Sequence, residues 1–114
     1  MTVRELAAAL NLSVLTGTGE ALTRPVSGGY CGDLLSWVMG RAPSGGAWIT
    51  IMSNVNVAAV AGLADLACVV LAEGVAPDAP LLERAKTENL ALLQSPDGAF
   101  AIAGRLSALL AVTG

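Results

Sequence analysis

Apolar positions run along this chain in two rhythms: helical spacing of three and four residues, and short unbroken apolar runs bounded by turn residues. Thr2-Val3-Arg4-Glu5 has the form of a capping box, in which the Thr hydroxyl and the Glu carboxylate satisfy each other's backbone donors at a helix start. Leu6, Ala9 and Leu10 then share a helical face, which predicts a short amphipathic helix over 3–10. Leu12 to Leu15 reads as a brief strand and Thr16-Gly17-Thr18-Gly19 as a turn. Ala21 to Val26 contains Pro25, which suits an edge strand.

Ser27-Gly28-Gly29 predicts the next turn, and Asp33 an N-cap for a helix through Leu34, Leu35, Val38 and Met39 that Gly40 stops. Pro43-Ser44-Gly45-Gly46 is a loop, and Ala47 to Met52 a strand by its β-branched and aromatic content. Ser53-Asn54 offers an N-cap for a helix over Val57 to Leu63. The run Ala67-Cys68-Val69-Val70-Leu71 has the pattern of a strand buried on both faces. Glu73-Gly74 turns the chain, Pro77-Asp78 opens a helix through Leu81, Leu82, Ala85 and Glu88, and Leu90 to Leu93 is a further strand. Ser95-Pro96-Asp97 starts the last helix, with Phe100, Ala103, Leu106 and Leu110 on its apolar stripe. Strands alternating with helices over 47–110 predict one α/β domain across 1–114, a mostly parallel sheet with helices on both faces.

Composition narrows the function. The 114 residues are 54% apolar and 13% charged, with six Lys+Arg against nine Asp+Glu and no histidine. Histidine acid/base chemistry, His-liganded metals and Ser-His-Asp triads are excluded within the chain. Nothing forms a basic stripe that would neutralise several phosphates, so no nucleic-acid partner is expected. The most apolar window, Val57 to Ala72, is interrupted by Gly62 and Asp65 and is too short to span a bilayer, so no membrane association is expected either. The amino terminus lacks the form of a secretory signal, and Cys31 and Cys68 have no C-x-x-C spacing; both read as free thiols of a cytoplasmic protein.

In an open parallel sheet, ligands bind beyond the carboxyl ends of the strands. Four turns hold nearly all the short polar residues: Ser27, Gly28 and Gly29 with Asp33; Thr50 with Ser53, Asn54 and Asn56; Glu73 with Gly74; and Gln94-Ser95 with Asp97. They are expected to share one edge, which makes Ser27, Gly28, Gly29, Asp33, Thr50, Ser53, Asn54, Asn56 and Glu73 the candidate ligand-binding residues. Caps and turns account for most of them taken singly; only Glu73 lacks such a role. The glycine turn is neither a Walker A loop nor a G-x-G-x-x-G fingerprint. No metal constellation, cofactor motif or catalytic set is read, since Cys31 has no histidine or nearby lysine to activate it.

The residues that carry a likeness are Val26-Ser27-Gly28-Gly29-Tyr30, Gly32-Asp33-Leu34-Leu35-Ser36, Trp48-Ile49-Thr50, Asn56 to Ala61, Leu66-Ala67, and Gly74 with Pro77-Asp78. Together they resemble the DRTGG domain along nearly the whole chain, although the contiguous Asp-Arg-Thr-Gly-Gly string is absent and Ser27-Gly28-Gly29 is the nearest counterpart to its end. Members occur fused to CBS domains and phosphate acetyltransferase-like proteins, or alone, near iron-only hydrogenase and signalling-kinase genes, with a distant likeness to the amino-terminal domain of HPr kinase. The resemblance implies a non-catalytic regulatory or ligand-sensing module that pairs as a homodimer and takes a nucleotide or small metabolite. A protein-interaction scaffold without a small ligand is the second reading, and a small enzyme using Cys31 or Glu73 the third.

Overall fold

The computed structural model describes residues 1–113 as one α/β domain. In chain order the elements are α1 (Val3–Ala9), β1 (Ser13–Thr16), α2 (Glu20–Thr23), β2 (Gly29–Cys31), α3 (Leu35–Arg41) and β3 (Ala47–Thr50). They continue as α4 (Asn56–Leu63), β4 (Cys68–Leu71), α5 (Ala79–Thr87), β5 (Leu92–Gln94) and α6 (Ala99–Thr113). The sheet order is β1-β5-β4-β3-β2, with β2 to β5 parallel and β1 antiparallel on β5. A mostly parallel sheet covered on both faces is therefore observed.

Strand alternation divides the core cleanly. Ala47, Ile49, Cys68, Val70 and Leu93 point to one face, where Val3 and Leu6 of α1, Leu10 just after it, and Ile102 and Leu106 of α6 cover them. Trp48, Val69, Leu71 and Leu92 point to the other, under Val38, Val57, Ala61, Leu81 and Ala85 of α3, α4 and α5. Strands β3 and β4 are buried at every position, which is why the β4 sequence reads as an unbroken apolar run.

Several boundaries differ from the sequence expectation for local reasons. The segment expected as an edge strand over 21–26 is the short helix α2 instead; Gly19 at φ 51° starts it, and strand-like contact survives only as a bridge between Thr2 and Pro25. The glycine run expected as a turn runs directly into β2, whose Gly29 pairs with Ala47. A Cβ on Gly29 would lie 2.9 Å from Leu106 Cδ2, so a larger residue here would push that side-chain end aside. Asp33 does not cap α3; Leu34 occupies that position with no side-chain bond. Helix α4 begins at Asn56 after Val55, and Asn54 Oδ1 accepts the Asn56 amide at 3.0 Å as a local turn. The capping box of α1 and the Asp78 cap of α5 form as expected. Phe100, assigned by spacing to the buried stripe of α6, is 93% exposed, and Ile102 fills the core in its place.

Candidate functional site

The turns expected on one edge lie at opposite ends of the sheet. Because β2 runs parallel to β3, Ser27, Gly28 and Gly29 enter the sheet at its amino end beside Ala47, whereas Asp33 leaves it at the carboxyl end. Ser27 Oγ donates to the Ser44 carbonyl, and Ser44 Oγ donates to Asp65 Oδ2 at 2.6 Å. Arg24 closes this network with a 3.0 Å ion pair to Asp65 and bonds to the Asp65 and Leu66 carbonyls. The Ser44 hydroxyl, with Arg24, holds the Asp65 carboxyl below its ordinary value. This end of the sheet is a stitched loop junction.

The carboxyl end gathers Asp33, Thr50, Ser53, Asn54, Asn56 and Glu73. Asp33 Oδ1 accepts from Thr50 Oγ1 at 2.7 Å and from the Ile51 amide at 3.0 Å, tying the exit of β2 to the exit of β3. Trp48, fully buried, adds a second tie by donating its indole N–H to the Gly32 carbonyl at 2.8 Å. Thr50 Oγ1 also accepts the Met52 amide.

Connections α3, α4 and α5 lie on one face and α6 on the other, so the topological switch falls between β4 and β5. That crevice is closed by the chain itself. The Glu73 and Gly74 amides donate to the Asp97 and Ser95 carbonyls, and Gln94 Nε2 donates to the Val75 carbonyl. Glu73 Oε2 accepts the Ala99 amide at 3.0 Å, which makes it the cap of α6, with its backbone held at φ 61°. The residue without an evident role in the sequence thus closes a helix. What the carboxyl end leaves without an internal partner, among the described residues, is the Ser53 hydroxyl, the Asn54 amide nitrogen and the Asn56 side chain, grouped at the entry to α4.

A cavity of about 300 Å³ lies elsewhere, between the edge strand β2 and α6, lined by Gly29, Cys31, Ile49, Ala103, Leu106, Ser107 and Leu110 among others. Cys31 is exposed there, its thiol pushed up by partial burial and by the nearby Asp33 charge, the reverse of nucleophile activation. Cys68 is buried in the core, where desolvation raises its thiol to about 12. The α6 residues of this cavity escaped the sequence reading because their spacing of three and four also describes a core stripe; the signal that separates them is Ser107, polar within that stripe. Among the described residues, no group of three Cys, Asp or Glu side chains comes together to hold a metal, and no helix is long and apolar enough to cross a membrane.

The arrangement belongs to a recognisable class of small α/β domain. Over 92% of its length it is similar, with a TM-score of 0.73, to the solved regulatory region of a pyrophosphatase from Clostridium perfringens. That region consists of CBS and DRTGG domains and was solved with an activator, diadenosine tetraphosphate. Identity is 16% and this chain spans 45% of that one, so the likeness is one of fold, and the fold is DRTGG-like. No family model matches the chain, and no curated protein does.

Proposed function

We propose that this chain is a non-catalytic, cytoplasmic regulatory module that works as a homodimer and senses a nucleotide or small metabolite. The observation that carries the reading is the shared fold with a regulatory region. The site chemistry supports it. Asp33, Thr50 and Glu73 are committed to main-chain and side-chain bonds within the fold, and the Cys31 thiol is pushed up rather than down. A ligand is received at the entry to α4, where Ser53, Asn54 and Asn56 supply hydrogen-bonding groups beside the helix start. Ser27, Gly28 and Gly29 lie at the other end of the sheet and take no part in that contact. Links to iron-only hydrogenase or signalling functions belong to the same proposal and rest on the resemblance alone.

A thermal-shift panel of diadenosine tetraphosphate, AMP, ATP and acyl phosphates tests the ligand. A compound at 100 times its dissociation constant adds about 2.7 kcal/mol, which for a chain of this length raises Tm by roughly 11 °C. If none raises Tm, the scaffold reading replaces the sensing one. That second reading is favoured by one observation, the charge-poor apolar surface around β2 and α6.

A further inference from the structure

We infer that two copies of this chain meet across the free edge of β2, with the flanks of α3 and α6 beside it forming the rest of the interface. The inference rests on the homodimer reading above and assigns it a face.

Strand β2 ends the sheet at Gly29-Tyr30-Cys31. In its parallel ladder Ala47 N donates to the Gly28 carbonyl and Gly32 N to the Ile49 carbonyl, so Gly28, Tyr30 and Gly32 face β3. The backbone groups of Gly29 and Cys31 therefore point away from the sheet. Free edges are normally blunted by Lys, Pro, a bulge, a covering segment or a very short strand, and β2, three residues long, has only the last of these within it. Within this strand there is neither Lys nor Pro, and Gly29 and Cys31 are exposed.

The α6 flank of this edge is apolar apart from Ser107, and the α3 flank carries one charge, Arg41. On α6, Phe100, Ala103, Ser107 and Leu110 recur at spacings of three, four and three. The last three line the cavity against β2, so Phe100 continues the same stripe. On α3, Leu34, Trp37 and Arg41 form a second stripe, with the Arg41 guanidinium 3.7 Å from the Trp37 ring centre. A right-handed crossover places α4 on the far side of α3 and turns that stripe toward the β2 edge. Leu34 is 57% and Trp37 49% exposed. Phe100 and Trp37 together offer ~300 Å² on the usual scale of aromatic side chains, toward the ~800 Å² per partner of a stable interface.

Charge selects the occupant. The chain carries a net charge of -3, so two copies repel over most of their surfaces. Residues 25–41 hold Asp33 and Arg41, and residues 98–112 only Arg105. Asp33 is bonded to Thr50 and Ile51, and Arg105 is paired with Asp97 at 2.9 Å. Arg41, stacked on Trp37, is the one charged side chain of this surface with neither an ion pair nor a hydrogen bond among the described residues, and a face so poor in charge can meet a copy of itself, as a two-fold interface requires.

The test is the mass in solution of the 114-residue chain by light scattering at micromolar concentration, for wild type, Phe100→Glu, Trp37→Glu and the control Leu63→Glu, which alters a 77% exposed apolar residue on α4. The expected result is a dimer of twice 11.4 kDa for wild type and the control, and a monomer for both face variants, their circular dichroism unchanged. In the same dimer a short bis-maleimide joins the exposed Cys31 of one copy to that of the other, while the buried Cys68 stays unmodified. A monomeric wild type overturns pairing itself. A wild-type dimer that survives both face substitutions, or that Cys31 does not cross-link, overturns the assigned face and leaves the homodimer reading standing.

Discussion

Replacing Asp33 with Ala tests whether the carboxyl end of the sheet is held as described. The substitution removes two bonds from one carboxylate oxygen: one from Thr50 Oγ1, whose residue is 1% exposed, and one from the exposed Ile51 amide. A buried hydroxyl left without its acceptor costs about 1–2 kcal/mol, and an exposed amide that turns to water costs about 0.5 kcal/mol. The expected loss is about 2 kcal/mol. With an unfolding entropy near 2.1 cal/mol/K per residue, a chain of this length loses roughly 4 °C per kcal/mol, so Tm falls by ~8 °C. Asp33→Asn keeps an acceptor oxygen without its charge and should lose about half as much. Urea titration followed by the fluorescence of the buried Trp48, in a Trp37→Phe background, reads both variants; the midpoint moves while the slope stays fixed. A loss below about 0.5 kcal/mol for Asp33→Ala would refute the assignment of Asp33 as the tie between β2 and β3.

Other substitutions test separate parts of the account. Glu73→Ala removes the cap of α6 and should cost about 1 kcal/mol by urea titration, whereas Glu73→Gln, which still presents an oxygen, should cost less. Cys68 gives the chain an alkaline limit. Its folded thiol ionises only at about 12, against 9.0 without burial, so its contribution is intact below pH 9 and drains away as pH rises toward 12. The loss approaches about 4 kcal/mol, and Cys68→Ala should flatten that part of the stability-pH curve relative to wild type. Asp33→Asn removes the negative charge that helps to raise the Cys31 thiol, so iodoacetamide should alkylate Cys31 faster at a fixed pH near 8.

Much of the architecture was legible because burial on both faces leaves a strong trace. The apolar run through Cys68 to Leu71 reads as a strand buried on both faces and the stretch from Ala47 as a strand, and both lie at the centre of the sheet. Capping residues that act on their own helix, Thr2 and Asp78, were equally plain. Groups that act across the fold were not. Asp33 sits where a local cap explains it and Glu73 where no local role does, yet one reaches β3 and the other α6. Strand direction decided the fate of the glycine run. A three-residue strand bearing Gly29 has almost no propensity signal, and once it runs parallel to β3 its two ends are separated by the height of the sheet. Phe100 failed for a related reason, since helical spacing defines two neighbouring stripes on α6 and only packing against the sheet tells which one is buried.

The claim that this chain senses a ligand without transforming it is tested most directly by titrating the ¹⁵N-labelled chain with diadenosine tetraphosphate, AMP and ATP while following each compound by mass spectrometry. The account predicts saturable amide shifts centred on Thr50 to Asn56, with the compound recovered intact. Turnover of any compound, or shifts centred on the loop junction of Ser27, Ser44 and Asp65 instead, would contradict it.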